Sequence, residues 1–145
     1  MRDPVTELNR HLKGFCLSIF RFELTARAPF TAPFTAIPLR GAFGYALRNA
    51  CCRHEVNACA ECAEAGGCGY ARLFEPTPPA GSPIAGRFAD APRPYLLQPD
   101  VTSAGKHIAA GQTFCLNITL VGSAIDHLPA VTAGIAGLGD RKSVV

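Results

Sequence analysis

The sequence predicts an α+β domain whose elements follow the order strand, helix, strand, strand, helix. Two patterns support this prediction: apolar and polar residues that alternate with a period of two, and apolar residues spaced at i, i+3 and i+4. The order matches a ferredoxin-like (RRM-like) βαββαβ unit whose final strand is missing, so the predicted unit is an incomplete βαββα. At 145 residues, the chain has room for one domain of ordinary size.

The first strand is predicted over Phe15–Leu24, where the sequence "FCLSIFRFEL" is rich in Phe, Ile and Leu. Because apolar residues occupy both alternating sets, we expect this strand to be largely buried on both faces. The following stretch, "TARAPFTAPFTAIP", contains three prolines. Proline disrupts both helix interiors and central strands, so this stretch is predicted to be an irregular crossover.

A helix is predicted from Leu39, because the period of the apolar residues changes there. They form one helical face: Leu39, Ala42, Phe43, Ala46, Leu47 and Ala50. Pro38 suits the first turn of this helix, where its missing N–H has no partner in any case. Gly41 and Gly44 each cost roughly 1 kcal/mol of helix propensity relative to Ala, so we expect a neighbouring group to approach closely there.

The second half of the chain begins with a Pro/Gly-rich loop, residues 75–92. A short strand is predicted over Arg93–Asp100. The clearest strand follows in "GQTFCLNITLVG", where four apolar residues alternate with polar ones: Phe114, Leu116, Ile118 and Leu120. The segment "DHLPAVTAGIAGLG" predicts a second helix, weakened by Gly134.

The two ends of the chain are predicted to lie outside this domain, which spans residues 15–139. Residues 1–14 form a polar, charged N-terminal extension that does not resemble a signal peptide. No apolar run is long enough to predict a membrane span, so we expect no membrane partner and a cytoplasmic location. Residues 140–145, "DRKSVV", match what a common sequencing adapter encodes in one reading frame, so we expect a non-native tail on a truncated chain.

The charge distribution is uneven although the net charge is only +3. Residues 1–54 carry eight Lys and Arg against three acids, whereas residues 55–75 carry four acids and a single Arg. A basic half could face phosphate, and an ordinary solvated surface explains the charges equally well.

The cysteines are concentrated in a loop predicted at residues 51–69, which holds five of the seven. Four have a spacing at which thiolates can close on a metal ion: Cys52, Cys59, Cys62 and Cys68. Structural zinc and an iron–sulfur cluster both remain open, with Cys51 and His54 as substitute ligands. Thiols packed without metal and redox chemistry are the alternatives. Cys16 and Cys115 lie in apolar strand-like runs and are predicted to be buried thiols.

Three segments together resemble the CRISPR-associated endoribonuclease Cas6 family of the RAMP superfamily. They are "LRGAFGYALRNACC", the cysteine loop ending in "CGYARLFEP", and "PRPYLLQP" followed by "GQTFCLNITLVGSAIDHLP". The resemblance implies two ferredoxin-like domains that bind the repeat of a precursor CRISPR RNA and cut it once. It also implies metal-independent cleavage without a catalytic cofactor, in which the 2′-OH attacks the adjacent phosphate and leaves a 2′,3′-cyclic phosphate.

The resemblance also directs attention to His54, which follows the first predicted helix in the region where many members of that family keep a catalytic histidine. Histidine can act as a general acid or base near neutral pH. We therefore expect His54 to be catalytic and Arg40, Arg48 and Arg53 to contact RNA phosphates. His54 as a surface residue or metal ligand remains an alternative.

Two other functions remain open at this stage. Related RAMP subunits hold CRISPR RNA inside an effector complex, next to other subunits, without cutting it. A metal-stapled interaction domain with no RNA role is the third possibility. Fold alone cannot decide among these functions.

Overall fold

The computed structural model describes residues 3–32, 36–53 and 59–139. The helices are α1 (Pro4–Leu12), α2 (Ala36–Cys51), α3 (Gly69–Leu73) and α4 (Leu128–Ala136). The strands are β1 (Leu17–Thr25), β2 (Phe30–Thr31), β3 (Tyr95–Pro99), β4 (His107–Ile108) and β5 (Thr113–Val121). Short 3₁₀ turns lie at Cys59–Glu61, Gly122–His127 and Gly137–Gly139. The protein is therefore an α+β domain with a cysteine-rich region after α2, as predicted. The predicted tail, residues 140–145, lies outside the described residues.

The main sheet has three strands in the order β1-β5-β3. Both outer strands run antiparallel to β5, with Leu17 opposite Val121 and Tyr95 opposite Leu120. β1 and β3 are consequently parallel to each other with β5 between them. The short strands β2 and β4 pair separately as a two-stranded antiparallel sheet within the connections.

The core lies on the side of the main sheet that α2 and α4 cover. The predicted alternation of β5 is confirmed in part: Leu116, Ile118 and Leu120 are buried, and the polar Thr119 between them is buried as well. The helices contribute Phe43, Leu47 and Val131, which are fully buried in the same cluster. Gly134 lets α4 approach α2, because a Cβ at this position would lie 2.9 Å from the Phe43 ring.

Helix α2 starts three residues earlier than predicted, and Pro38 lies in its first turn as expected. Its predicted apolar face is buried in the middle of the helix, whereas Ala50 at the end is exposed, so that part of the prediction is wrong. Close approach is confirmed at Gly44, where a Cβ would overlap the Phe74 ring. It is wrong at Gly41, which is exposed and has no atom near its Cβ position.

Strand β1 is not buried on both faces, contrary to the prediction. Its residues alternate between exposed and half-buried, and Ile19 is 72% exposed. β1 is an edge strand whose second face no described element covers, and the sequence could not show this because both faces carry apolar residues. The predicted burial of the two outlying thiols is also wrong: Cys16 is exposed, and Cys115 is half-buried, with the Arg21 guanidinium 3.1 Å from its sulfur.

The N-terminal extension contains helix α1, which the sequence analysis did not predict. Asp3 caps it, since its carboxylate accepts bonds from the backbone N–H groups of Val5 and Thr6, each at 3.2 Å. Across the ranges that the structure describes, no helix combines the length and apolar character needed to cross a bilayer.

The two helix glycines give a matched test of this packing. Gly44→Ala should lower the free energy of unfolding by about 1–3 kcal/mol, because the added methyl group meets the Phe74 ring. Gly41→Ala should raise it by up to about 1 kcal/mol, because the position is open and Ala is the better helix former. Urea unfolding of both variants measures this difference, and equal effects at the two positions would contradict the packing described here.

Candidate functional site

The four cysteines predicted to bind a metal line one small cavity. Cys52 directly follows α2, Cys59 begins a 3₁₀ turn that Cys62 follows, and Cys68 precedes the first residue of α3. The remaining lining residues are Arg48, Ala65, Tyr70, Ala71 and Glu75. Four thiols separated along the chain therefore face a common space.

Successive backbone turns bring these cysteines together. The N–H of Cys62 donates to the carbonyl of Cys59 at 3.1 Å, and the N–H of Ala65 donates to the carbonyl of Cys62 at 3.1 Å. The N–H of Cys68 donates to the carbonyl of Glu64 at 3.1 Å, which reverses the chain towards α3. The carbonyl of Cys68 then accepts the N–H of Arg72 at 3.0 Å and begins α3.

The surroundings raise the pKa of two of the thiols, Cys51 and Cys59. Burial, followed by a hydrogen bond to Glu75, raises the pKa of Cys59 to about 12. Burial, followed by the neighbouring Cys68, raises the pKa of Cys51. In the absence of a metal ion, a nucleophilic or redox thiol at Cys51 or Cys59 would require the opposite shift. Within residues 3–32, 36–53 and 59–139, no three His, Cys, Asp or Glu side chains are already arranged to hold a metal ion.

Beside the cavity, Tyr70 lies at the centre of a polar and aromatic contact network. Its hydroxyl donates to Oε1 of Glu75 at 2.9 Å, and burial, followed by Glu75, raises the pKa of this phenol. The Arg48 guanidinium lies 5.9 Å from the Tyr70 ring centroid. On the other side, Tyr70 stacks on Phe74 at 5.4 Å, and the Arg93 guanidinium lies 5.1 Å from the Phe74 centroid. Arg48, Tyr70, Phe74 and Arg93 thus form a ladder with a cation at each end, which we call the arginine–aromatic ladder.

Arg93 also connects the ladder to the start of β3. Its Nε donates to the carbonyl oxygen of Phe74 at 2.7 Å. It lies near Tyr95, whose phenol also has Arg40 as a neighbour. Burial raises the pKa of Tyr95 more than Arg40 and Arg93 lower it.

The predicted RNA-binding arginines lie at different places along one helix. Arg40 is exposed near Tyr95, Arg48 is exposed at the cysteine cavity, and Arg53 is exposed just beyond the end of α2. Two helical turns separate the first pair, a distance of about 12 Å along the axis. The predicted catalytic residue, His54, lies outside the described residues, so its role stays a prediction.

Tyr70, Glu75 and Arg93 also belong to this site, and no pattern in the sequence predicted them. Helix α3 has only five residues, too few for a helical period to appear in the sequence. Arg93 lies between two prolines at the end of a loop, where an arginine is expected to be solvated.

The family comparison gives the class to which this α+β domain belongs. Residues 15–143 match the model of the AF_1859_N family, which is described as an N-terminal domain. Because the match covers nearly the whole chain, the protein belongs to the AF_1859_N N-terminal domain family. No curated protein and no solved structure matches the chain.

Removal of Arg93 tests the arginine–aromatic ladder. Arg93→Ala should lower the free energy of unfolding by about 1–3 kcal/mol, because the Phe74 carbonyl loses a charged donor and the ring loses its cation. Arg87→Ala is the control, since Arg87 is exposed in the preceding loop, and its effect should stay within about 0.5 kcal/mol. Thermal or urea unfolding measures both; a neutral Arg93→Ala would show that the ladder does not stabilise the fold.

Proposed function

We propose that this chain is the N-terminal RAMP domain of a Cas6-type endoribonuclease. Such an enzyme processes precursor CRISPR RNA: a 2′-OH within the repeat attacks the adjacent phosphate, which gives a 2′,3′-cyclic phosphate. The observation that carries this proposal is the order of the main sheet, β1-β5-β3, with α2 and α4 packed into one core beside it. The sequence segments that resemble Cas6 lie on α2, the cysteine loop, β3 and β5 of the same unit.

The strand order supports a ferredoxin-like unit. Counted along the chain, the strands of the main sheet lie in the spatial order first, third, second. A split βαβ arrangement requires this, because the strand between two parallel neighbours arrives by a hairpin. In a complete unit, a fourth strand pairs with the outer edge of the first. No strand among the described residues pairs with that edge of β1.

The open face of the sheet does not offer the base-stacking platform typical of RRM domains. The exposed residues of β1 and β3 on that face are aliphatic, polar or charged, and their cross-strand partners on β5 include Cys115, Asn117 and Thr119. Aromatic residues on the sheet would be needed to stack single-stranded bases. We therefore assign RNA contact to the arginines on α2 and directly after it. Arginine side chains suit the recognition of phosphates.

The proposed chemistry assigns one role to each predicted residue. His54 acts as the general acid or base for the 2′-OH or the leaving 5′-oxygen. Arg40, Arg48 and Arg53 balance the charge of the phosphate, which increases in the transition state. Arg48 is exposed, and its guanidinium lies 5.9 Å from the Tyr70 ring centroid. The proposal requires no cofactor for catalysis and assumes a cytoplasmic location.

A non-catalytic subunit that holds CRISPR RNA in an effector complex is the second candidate. It would use the same arginines and the same fold, so only a cleavage assay separates the two functions. The third possibility, an interaction domain held together by a metal ion, would not bind RNA.

Cleavage of repeat RNA in EDTA tests the proposal. The protein at its native length should cut an end-labelled repeat RNA once and leave a cyclic phosphate, and a 2′-deoxy substitution at the cut site should abolish cutting. His54→Ala should reduce the single-turnover rate by about 10²–10⁴-fold, as expected for the loss of a general acid or base. His107→Ala, on the short strand β4, is the matched control.

The outcomes separate the three functions. RNA binding without cutting would contradict the nuclease function and favour the non-catalytic effector subunit. Absence of RNA binding would contradict both of these functions. If His54→Ala cuts the RNA at an unchanged rate, the catalytic role proposed for His54 is wrong, whereas the nuclease function is retained.

The salt dependence of RNA binding tests whether the arginines contact RNA phosphates. Arg40→Ala and Arg53→Ala should each weaken RNA binding and reduce the slope of log K against log salt by about 0.7–1, because each removes one phosphate contact. Lys106→Ala removes the same charge from an exposed turn beside β4 and should leave the slope unchanged. Equal slopes for all three variants would place the RNA elsewhere.

A further inference from the structure

We propose that Cys52, Cys59, Cys62 and Cys68 bind a single structural Zn²⁺ ion that fastens the cysteine loop to the end of α2. This inference does not depend on an RNA-related function. It rests on the arrangement of the four side chains around the cavity and on the size and charge of that cavity.

The four cysteines converge on one cavity from separate parts of the chain. The four residues come from the end of α2, a 3₁₀ turn, the following turns and the start of α3, and all four line the same cavity. None of the seven cysteines forms a disulfide. Four thiols that form no disulfide and line one small cavity are a ligand set that can close tetrahedrally on Zn²⁺.

The size of the cavity suits a single ion. The cavity has a volume of about 20 Å³. This is little more than the roughly 10–15 Å³ that a single water molecule requires. One Zn²⁺ ion therefore fits in this space.

The loop can close around an ion. Among the described residues the four cysteines line the cavity without forming a preassembled coordination sphere. The loop has space to contract, because Gly66 and Gly67 are exposed and no atom lies within 4 Å of their Cβ positions. Zinc binding replaces the four thiol protons with one ion, and those protons pass to solvent.

The surroundings suit a zinc site that carries net negative charge. Four thiolates around Zn²⁺ leave a charge of about −2, and the Arg48 cation lines the same cavity. Glu75 adds a further negative charge, but it also accepts a hydrogen bond from Tyr70, which fixes its position beside Cys59. Arg48 would therefore offset part of the charge of the site, and Tyr70 would hold Glu75 in place beside Cys59. Residues next to metal sites commonly orient the ligands in this way.

The structure also separates the proposed ligands from the nearest substitute. Cys51 does not line the cavity, and its sulfur lies over Gly69, 3.4 Å from the Cβ position of that glycine. His127 lies on the same side, with Nδ1 at 3.9 Å from that position. Cys51 is therefore a matched control within the same loop, and Cys16, which is exposed at the start of β1, is a distant one.

The experiment measures zinc in the protein and the ligands that hold it. The full chain, purified anaerobically with a thiol-free reductant, should contain about one Zn²⁺ by elemental analysis, with sulfur scatterers at about 2.3 Å in the zinc X-ray absorption spectrum. Replacement of Zn²⁺ by Co²⁺ should give the strong visible bands of a tetrahedral ion and a sulfur-to-cobalt charge-transfer band.

Variants then identify the ligands. Cys59→Ser and Cys62→Ser should weaken zinc binding by more than the roughly 10–100-fold loss that accompanies removal of a residue next to a metal site. Cys51→Ser and Cys16→Ser should retain wild-type zinc content. If a ligand variant fails to fold, the absorption spectrum of the unchanged protein still counts the sulfur ligands.

Three results would overturn the proposal. The first is a chain that contains no zinc after anaerobic preparation and gives Co²⁺ spectra of an octahedral ion. The second is iron and sulfide in place of zinc. The third is an equal loss of zinc from Cys51→Ser and Cys59→Ser. None of these results bears on the cleavage assay, so the two proposals fail separately.

Discussion

The contact between Gly44 and Phe74 is the constraint on which the rest of the site depends. Gly44 is buried in the middle of α2, and the Phe74 ring occupies the space that any other side chain at that position would fill. Phe74 directly follows α3, so this contact places α3 against α2. Cys68 and Tyr70 are thereby brought next to Cys52 and Arg48 at the end of the longer helix.

The arginine–aromatic ladder extends this constraint across the surface. Tyr70 and Phe74 stack, and an arginine lies over each end of the pair. Because Arg93 also donates to the carbonyl of Phe74, the start of β3 is tied to the end of α3. Packing in the core and the polar contacts at the surface therefore position the same short helix. The cysteine cavity lies where the two sets of contacts meet.

The sequence predicted the elements with the strongest periodicity and missed those whose form depends on neighbours. β5 and α2 were predicted because their apolar residues repeat with periods of two and of about 3.6 over many residues. β1 was assigned two buried faces because Ile19 and Phe20 look equally apolar in sequence, and only the sheet order shows which one faces the helices. The convergence of the cysteines was predicted from spacing. Tyr70, Glu75 and Arg93 were missed because their partners are set by the Gly44–Phe74 contact, which leaves no sequence period.

A double-mutant cycle between positions 44 and 74 tests the central claim most directly. The free energies of unfolding are measured for the unchanged protein, Gly44→Ala, Phe74→Ala and the double variant. If the two residues are in contact, the methyl group added at 44 should cost much less once the ring is removed, with a coupling of about 0.5–3 kcal/mol. Additive effects, with no coupling, would show that Phe74 does not occupy the space over Gly44 and would contradict the account of how α3 and the cysteine loop are positioned.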